Sequence, residues 1–164
     1  MSHFEQLLYA TLRIEVSGED GDVMSMGTGF LLAKPIDSVK GKVYLISNRH
    51  VFEYAKALAI NLTMSASGVP DHGNVYRMVI DDVSGCVTNH PNPNIDVAAL
   101  EVTGLIEHAP NNYYMKWFNY GMLSDFSESE LSIAENVHFI GYPDNRFDSA
   151  NNLPPRSNWA RDCV

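Results

Sequence analysis

The chain has 164 residues, of which 45% are hydrophobic and 19% are charged, a composition typical of an ordinary globular protein. This length suits one medium domain, or two small barrels that share an interface. The formal net charge of −9 and the lack of any basic run argue against a nucleic-acid surface, because binding to a phosphate backbone needs concentrated Lys and Arg.

The N-terminal residues and the number of cysteines indicate the cellular compartment of the protein. Residues 1–10 have neither a basic start nor a long apolar core, so they make a poor secretory signal. No apolar stretch approaches the length needed to cross a bilayer. The two cysteines, Cys86 and Cys163, are too few for a disulfide framework. We therefore expect a cytoplasmic protein without a membrane partner.

The first predicted elements are an ambiguous segment and a strand. Residues 4–10 are compatible with a short helix or an extended arm, whereas residues 11–16 alternate apolar and polar side chains as a half-buried strand does. The acidic run at 17–22 lacks the ordered spacing and terminal glutamate of a calcium loop, so we expect a solvated hairpin turn there. A second strand is expected over residues 26–33.

The next strand ends in a histidine. The apolar run at residues 43–46 is short and rich in strand formers, which predicts a strand that delivers His50 to its end and pairs with the preceding strand as a hairpin. Residues 51–58 contain good helix formers and neither glycine nor proline, so one or two helical turns are expected after His50.

Further strands are predicted at residues 59–64 and 75–80, separated by a turn rich in glycine and proline. A polar, extended segment at 87–94 then brings the chain to Asp96, and another strand follows at 97–102. Five or more short strands before residue 105 indicate an all-β barrel or sandwich.

Histidine and aspartate at strand ends are the two parts that a general base and its orienting carboxylate need. Around them, four motifs stand in order: Gly-Thr-Gly-Phe at 27–30, Ser-Asn-Arg-His-Val at 47–51, Asp-Val-Ala-Ala-Leu at 96–100 and Gly-Tyr-Pro at 141–143. Each motif alone is weak, but together they resemble the trypsin-like serine peptidases, particularly the intracellular and bacterial branch.

The resemblance implies a trypsin-like, chymotrypsin-fold architecture with one short helix after His50. In that arrangement residues 1–110 form a complete N-terminal β-barrel that carries His50 and Asp96. Residues 111–130 are the linker between barrels, and residues 131–164 are the incomplete start of a second barrel.

The resemblance also implies a serine endopeptidase that acts on protein or peptide substrates. His50 would be the general base, and Asp96 would accept a hydrogen bond from one ring nitrogen and so fix the tautomer. The family's nucleophile lies in a Gly-x-Ser-Gly turn, which does not occur after Pro143. We therefore expect this chain to be inactive alone, with the missing C-terminal half of the same protein as a candidate partner.

Two alternatives stay open. A pseudo-peptidase barrel would use a surface such as the aromatic residues 113–120 for protein interaction or sensing. A cysteine nucleophile at Cys163 lacks the Gly-x-Cys-Gly setting. The other histidines lack the paired spacing of a zinc site, so neither a metal nor a cofactor is expected. Asn48 and Arg49 are expected to shape the turn before His50 rather than to take part in the chemistry.

Overall fold

A computed structural model describes residues 3–38, 40–108, 113–124, 139–143 and 146–154. The helices in this part of the chain are α1 (His3–Ala10), α2 (Arg49–Phe52) and α3 (Thr103–His108), with a 3-10 turn at Tyr120–Met122. The strands are β1 (Thr11–Ser17), β2 (Val23–Pro35), β3 (Gly41–Ser47), β4 (Ala57–Ala66), β5 (Val69–Asp81), β6 (Val87–Asn89), β7 (Ala98–Glu101) and β8 (Phe118–Asn119).

The strands form one sheet in the order β5-β4-β1-β2-β3-β7-β6, with β8 beside β2. β8 runs parallel to β2, and the pairs along the main path are antiparallel. The mostly antiparallel sheet and the short helices confirm the predicted all-β class. The hairpin β2–β3 is also present as predicted, and the two strands predicted at 59–64 and 75–80 lie within β4 and β5, which pair with each other.

The sheet is not closed by hydrogen bonds within the described residues, so the predicted trypsin-like barrel is not confirmed. Its two ends are β5 and β6, which follow one another in the chain. The connection between β5 and β6 forms a turn and does not extend the strand pairing. Asp82 and Gly85 have φ values of 50° and 88°, and the Cys86 N–H donates to the Val83 carbonyl.

The described residues contain two α-helices, α1 and α3, beyond the one short helix predicted after His50. The ambiguous N-terminal segment is helical in α1. The helix at His50 begins at Arg49, two residues before the predicted start at 51, and ends after one of the one or two predicted turns. The reason is tertiary: the Lys56 N–H donates to the Ser17 carbonyl at the end of β1, so the chain joins the sheet before a second helical turn can form.

The buried face of the sheet forms one apolar core. Its fully buried large side chains are Ile14, Val16, Leu31, Leu45, Leu58, Leu62, Val83 and Val102. Gly29, in β2, lets this core close around the neighbouring strands. A Cβ at that position would lie 2.7 Å from Ile14 Cδ1 and 2.9 Å from the Ile46 carbonyl oxygen, so any larger residue would force β2 away from its neighbours.

The described residues after α3 lie against this sheet. The Tyr114 N–H donates to the Thr63 carbonyl at 2.8 Å, and Phe118 pairs with Leu32 of β2. The predicted boundaries at 111–130 and 131–164 stay predictions. Most of residues 131–164, including Cys163, lies outside the described residues.

No helix in the described part of the chain is long and apolar enough to span a membrane. Cys86 is a free, exposed cysteine. The cytoplasmic location stays a prediction.

Candidate active site

The structure brings His50 and Asp96 together, although 46 positions separate them in the sequence. His50 is the second residue of α2 and lies three residues after the end of β3. Asp96 lies two residues before the start of β7. β3 pairs with β7, and their register sets Ser47 opposite Ala98. The contact therefore follows from strand pairing, because the two residues leave neighbouring strands at the same edge of the sheet.

Both carboxylate oxygens of Asp96 face His50. Oδ1 accepts the His50 backbone N–H at 3.0 Å, and Oδ2 lies 2.5 Å from the ring atom Nδ1. Since an ionised carboxylate only accepts hydrogen bonds, Nδ1 carries the proton in this contact and the neutral ring has a bare Nε2. The predicted hydrogen bond is thus present, while the catalytic role of the pair stays a prediction.

The ring remains accessible on its other side. The His50 side chain is 66% exposed and the Asp96 side chain 41% exposed. Within the described residues the structure gives Nε2 no hydrogen-bond partner. This nitrogen is therefore free to accept a proton from a group that approaches from outside the sheet.

Two neighbours of His50 hold the segment that carries Asp96. The Asn48 side chain donates to the Asp96 backbone carbonyl at 3.1 Å and to Oδ2 at 3.3 Å. The Arg49 guanidinium donates to the Pro93 carbonyl at 2.7 Å. The segment is closed at its base by the His90 N–H, which donates to the Val97 carbonyl at 3.0 Å. Asn48 and Arg49 are expected to shape the turn before His50. Their side chains also bind the loop at residues 93–96.

The Gly-Thr-Gly and Gly-Tyr-Pro motifs also meet. The Tyr142 N–H donates to Thr28 Oγ1 at 2.9 Å, and a Cβ on Gly141 would lie 3.3 Å from the same oxygen. The Thr28 carbonyl accepts the hydroxyl of Ser47, which is buried at the end of β3. All four motifs thus form one continuous hydrogen-bonded region, because Asp96 binds Asn48 and His50 of the second motif. The spacing of the motifs in the sequence does not reveal these contacts.

The remaining candidates show no site. No group of three or more metal-ligating side chains occurs in the described ranges. Ser149, a serine that follows the Gly-Tyr-Pro motif but lacks flanking glycines, is exposed, and no hydrogen bond in the described residues joins it to His50. In the aromatic segment, Tyr113 stacks on Tyr76 with ring centroids 5.1 Å apart, so part of this segment covers the sheet.

Hydrogen bonding lowers the pKa of Asp96 below its ordinary value of 3.8. The His50 backbone N–H has the largest effect, followed by the His50 ring, and the Asn48 amide acts in the same direction. Each of these donors stabilises the ionised carboxylate.

This shift predicts a pH dependence of stability. Because the folded state favours the ionised form, the contribution of Asp96 is fully present above about pH 4 and is lost as the pH falls through the lowered pKa. In urea unfolding experiments below about pH 4, we expect the free energy of unfolding of Asp96→Asn to fall less steeply than that of the wild type. Equal slopes would contradict the shift.

Comparison of the chain with protein-family models, curated proteins and solved structures gave no match. The site is therefore interpreted from its own residues and geometry. What these define is an exposed imidazole oriented by a carboxylate at the edge of an antiparallel sheet.

Proposed function

We propose that this chain is the N-terminal portion of a trypsin-like serine endopeptidase. The observation that carries the proposal is the His50–Asp96 pair, with Nδ1 directed to the carboxylate and Nε2 exposed. A general base for a serine hydroxyl needs this tautomer and this access. The order of the four sequence motifs supports the same family.

The strand order supports a sheet that curls as a barrel does. In a flat sheet, six inter-strand spacings would separate β5 from β6 by roughly 29 Å. The chain between Asp81 and Val87 reaches at most about 22 Å. The sheet is therefore curved rather than flat, which supports the proposed barrel. The Val83 N–H, which donates to the Lys56 carbonyl just before β4, draws the connection inward.

In the proposed reaction, the serine hydroxyl gives its proton to His50 Nε2 as its oxygen attacks the carbonyl carbon of the scissile peptide bond. Asp96 remains ionised and stabilises the imidazolium that forms. The imidazolium then returns the proton to the leaving amine, and a water molecule hydrolyses the acyl-enzyme by the same route. No cofactor takes part in this scheme.

The serine is not supplied by a Gly-x-Ser-Gly turn in the 164 residues. We propose that it comes from a segment that packs beside residues 139–143. Thr28 binds the Gly-Tyr-Pro motif on the same sheet as His50. The chain alone is then inactive, and the segment that contains the nucleophile is its partner.

The alternative is a pseudo-peptidase that serves as an interaction or sensing module. Two aromatic side chains of the 113–120 segment, Trp117 and Tyr120, are 40% and 49% exposed and offer a contact surface for a protein partner.

The coding sequence downstream of codon 164 discriminates between the two. A Gly-x-Ser-Gly turn within the next few tens of codons is expected for the peptidase, together with cleavage of a denatured protein substrate by the full-length gene product. A stop codon or an open frame without this turn, and a full-length product that leaves the substrate intact, would favour the interaction module.

A further inference from the structure

Asn48 occupies a helix-cap position without capping the helix. It directly precedes α2 and has extended backbone angles, φ −64° and ψ 142°, as an N-cap residue does, yet its side chain makes no cap hydrogen bond. The N–H that such a cap serves, that of His50, is bound instead by Asp96 Oδ1. The carboxylate from the neighbouring loop has replaced the local cap.

The Asn48 amide is turned towards that same carboxylate. Its nitrogen, which carries two hydrogens, lies 3.1 Å from the Asp96 backbone oxygen and 3.3 Å from Oδ2. One side chain thus binds both the main chain and the carboxylate of Asp96. Oδ2 is also the atom that accepts the Nδ1 proton of His50.

We propose that Asn48 is a positioning residue for the His50–Asp96 pair. By holding the main chain and Oδ2 of Asp96 together, it stops the carboxylate from rotating away from the ring. The ring is thereby kept in the tautomer that leaves Nε2 bare. The importance of Asn48 for catalysis rests on the proposed function. Its hydrogen bonds to Asp96 do not depend on that function.

Without Asn48, the carboxylate would keep only the two donors of His50 among the residues that the structure describes. The side chains of His50 and Asp96 are both more than one-third exposed, so water competes for the Asp96 oxygen that Asn48 no longer binds. A second orientation of the carboxylate would then free Nδ1, and the ring could exchange its proton between its two nitrogens.

The test is a nuclear magnetic resonance measurement of the His50 ring nitrogens, recorded with the ring neutral, in the 164-residue chain. In the wild type we expect a protonated Nδ1 and a bare Nε2. In Asn48→Ala we expect the population of the Nε2–H tautomer to rise several-fold and the carboxyl titration of Asp96 to move up towards its ordinary value. Asn48→Asp keeps the size of the side chain but replaces its donor by a like charge, so both shifts should be larger.

Arg49→Ala is the matched control. Arg49 lies on the same turn and binds the same loop at Pro93, but it makes no hydrogen bond to Asp96. We expect this variant to keep the wild-type tautomer. The proposal is overturned if both Asn48 variants keep the wild-type tautomer and Asp96 titration, or if Arg49→Ala changes them equally.

The test still decides if one variant fails to fold or if the full-length product has no peptidase activity. If Asn48→Ala does not fold, the isosteric Asn48→Asp variant alone tests the proposal. Its backbone amide spectrum shows whether it is folded, independently of the His50 ring signals. A full-length product without peptidase activity would remove the proposed function but would leave this result unaffected, since the tautomer is read without turnover.

Discussion

Replacing Asp96 by Asn is expected to lower kcat/KM of the full-length gene product by about 10⁴-fold, on the proposed mechanism. The amide that would face Nδ1 can donate a hydrogen bond, so it favours the tautomer with the proton on Nε2. That tautomer cannot accept the serine proton. The imidazolium would also lose the negative charge that stabilises it. Steady-state hydrolysis of a peptide ester measures this loss.

The matched control is Asp82→Asn. Asp82 is an exposed aspartate whose carboxylate accepts hydrogen bonds from Lys56 and Ser84, and among the described residues it has no hydrogen bond to His50. We expect this variant to retain the wild-type kcat/KM. An Asp96→Asn protein with a rate within about threefold of wild type would contradict the orienting role, since such a loss is under 1 kcal/mol of barrier.

Replacing Leu45 by Ala is expected to reduce the free energy of unfolding by about 2–5 kcal/mol. Leu45 is fully buried in the middle of β3, where it pairs with Leu31 on one side and Leu100 on the other. Truncation would leave a cavity among three strands that cannot close without shifting the strand that leads to His50. Urea unfolding of the chain measures the change.

Val79→Ala is the control for this loss. Val79 lies on β5 and is 47% exposed, so its truncation should change the free energy of unfolding by no more than about 0.5 kcal/mol. A similar, small effect for Leu45→Ala would show that the core does not close around β3 as described.

The strands could be predicted because they depend on local patterns, whereas the His50–Asp96 contact is expected from the resemblance that the motifs around the two residues carry. The apolar run at 43–46 and the alternation at 11–16 each specify a strand. Once two strands pair, the residues that leave them at one edge are neighbours. The pairing of β3 with β7, which sets His50 and Asp96 at one edge, comes from the structure and not from the sequence patterns.

Other features depend on contacts that sequence patterns do not encode. The helix at His50 stops early because Lys56 binds the end of β1, a tertiary contact that overrides good helix formers. β8 consists of two residues and has no pattern of its own. Asn48 resembles a helix cap in sequence, and only its position opposite Asp96 shows where its amide goes.

The central claim is that His50 activates a serine hydroxyl, and labelling with a fluorophosphonate probe tests it most directly. The full-length gene product should be labelled on one serine in a Gly-x-Ser-Gly turn, and His50→Ala, which removes the base, should abolish the labelling. Unchanged labelling of the His50→Ala protein, or no labelling of the wild type, would contradict the claim.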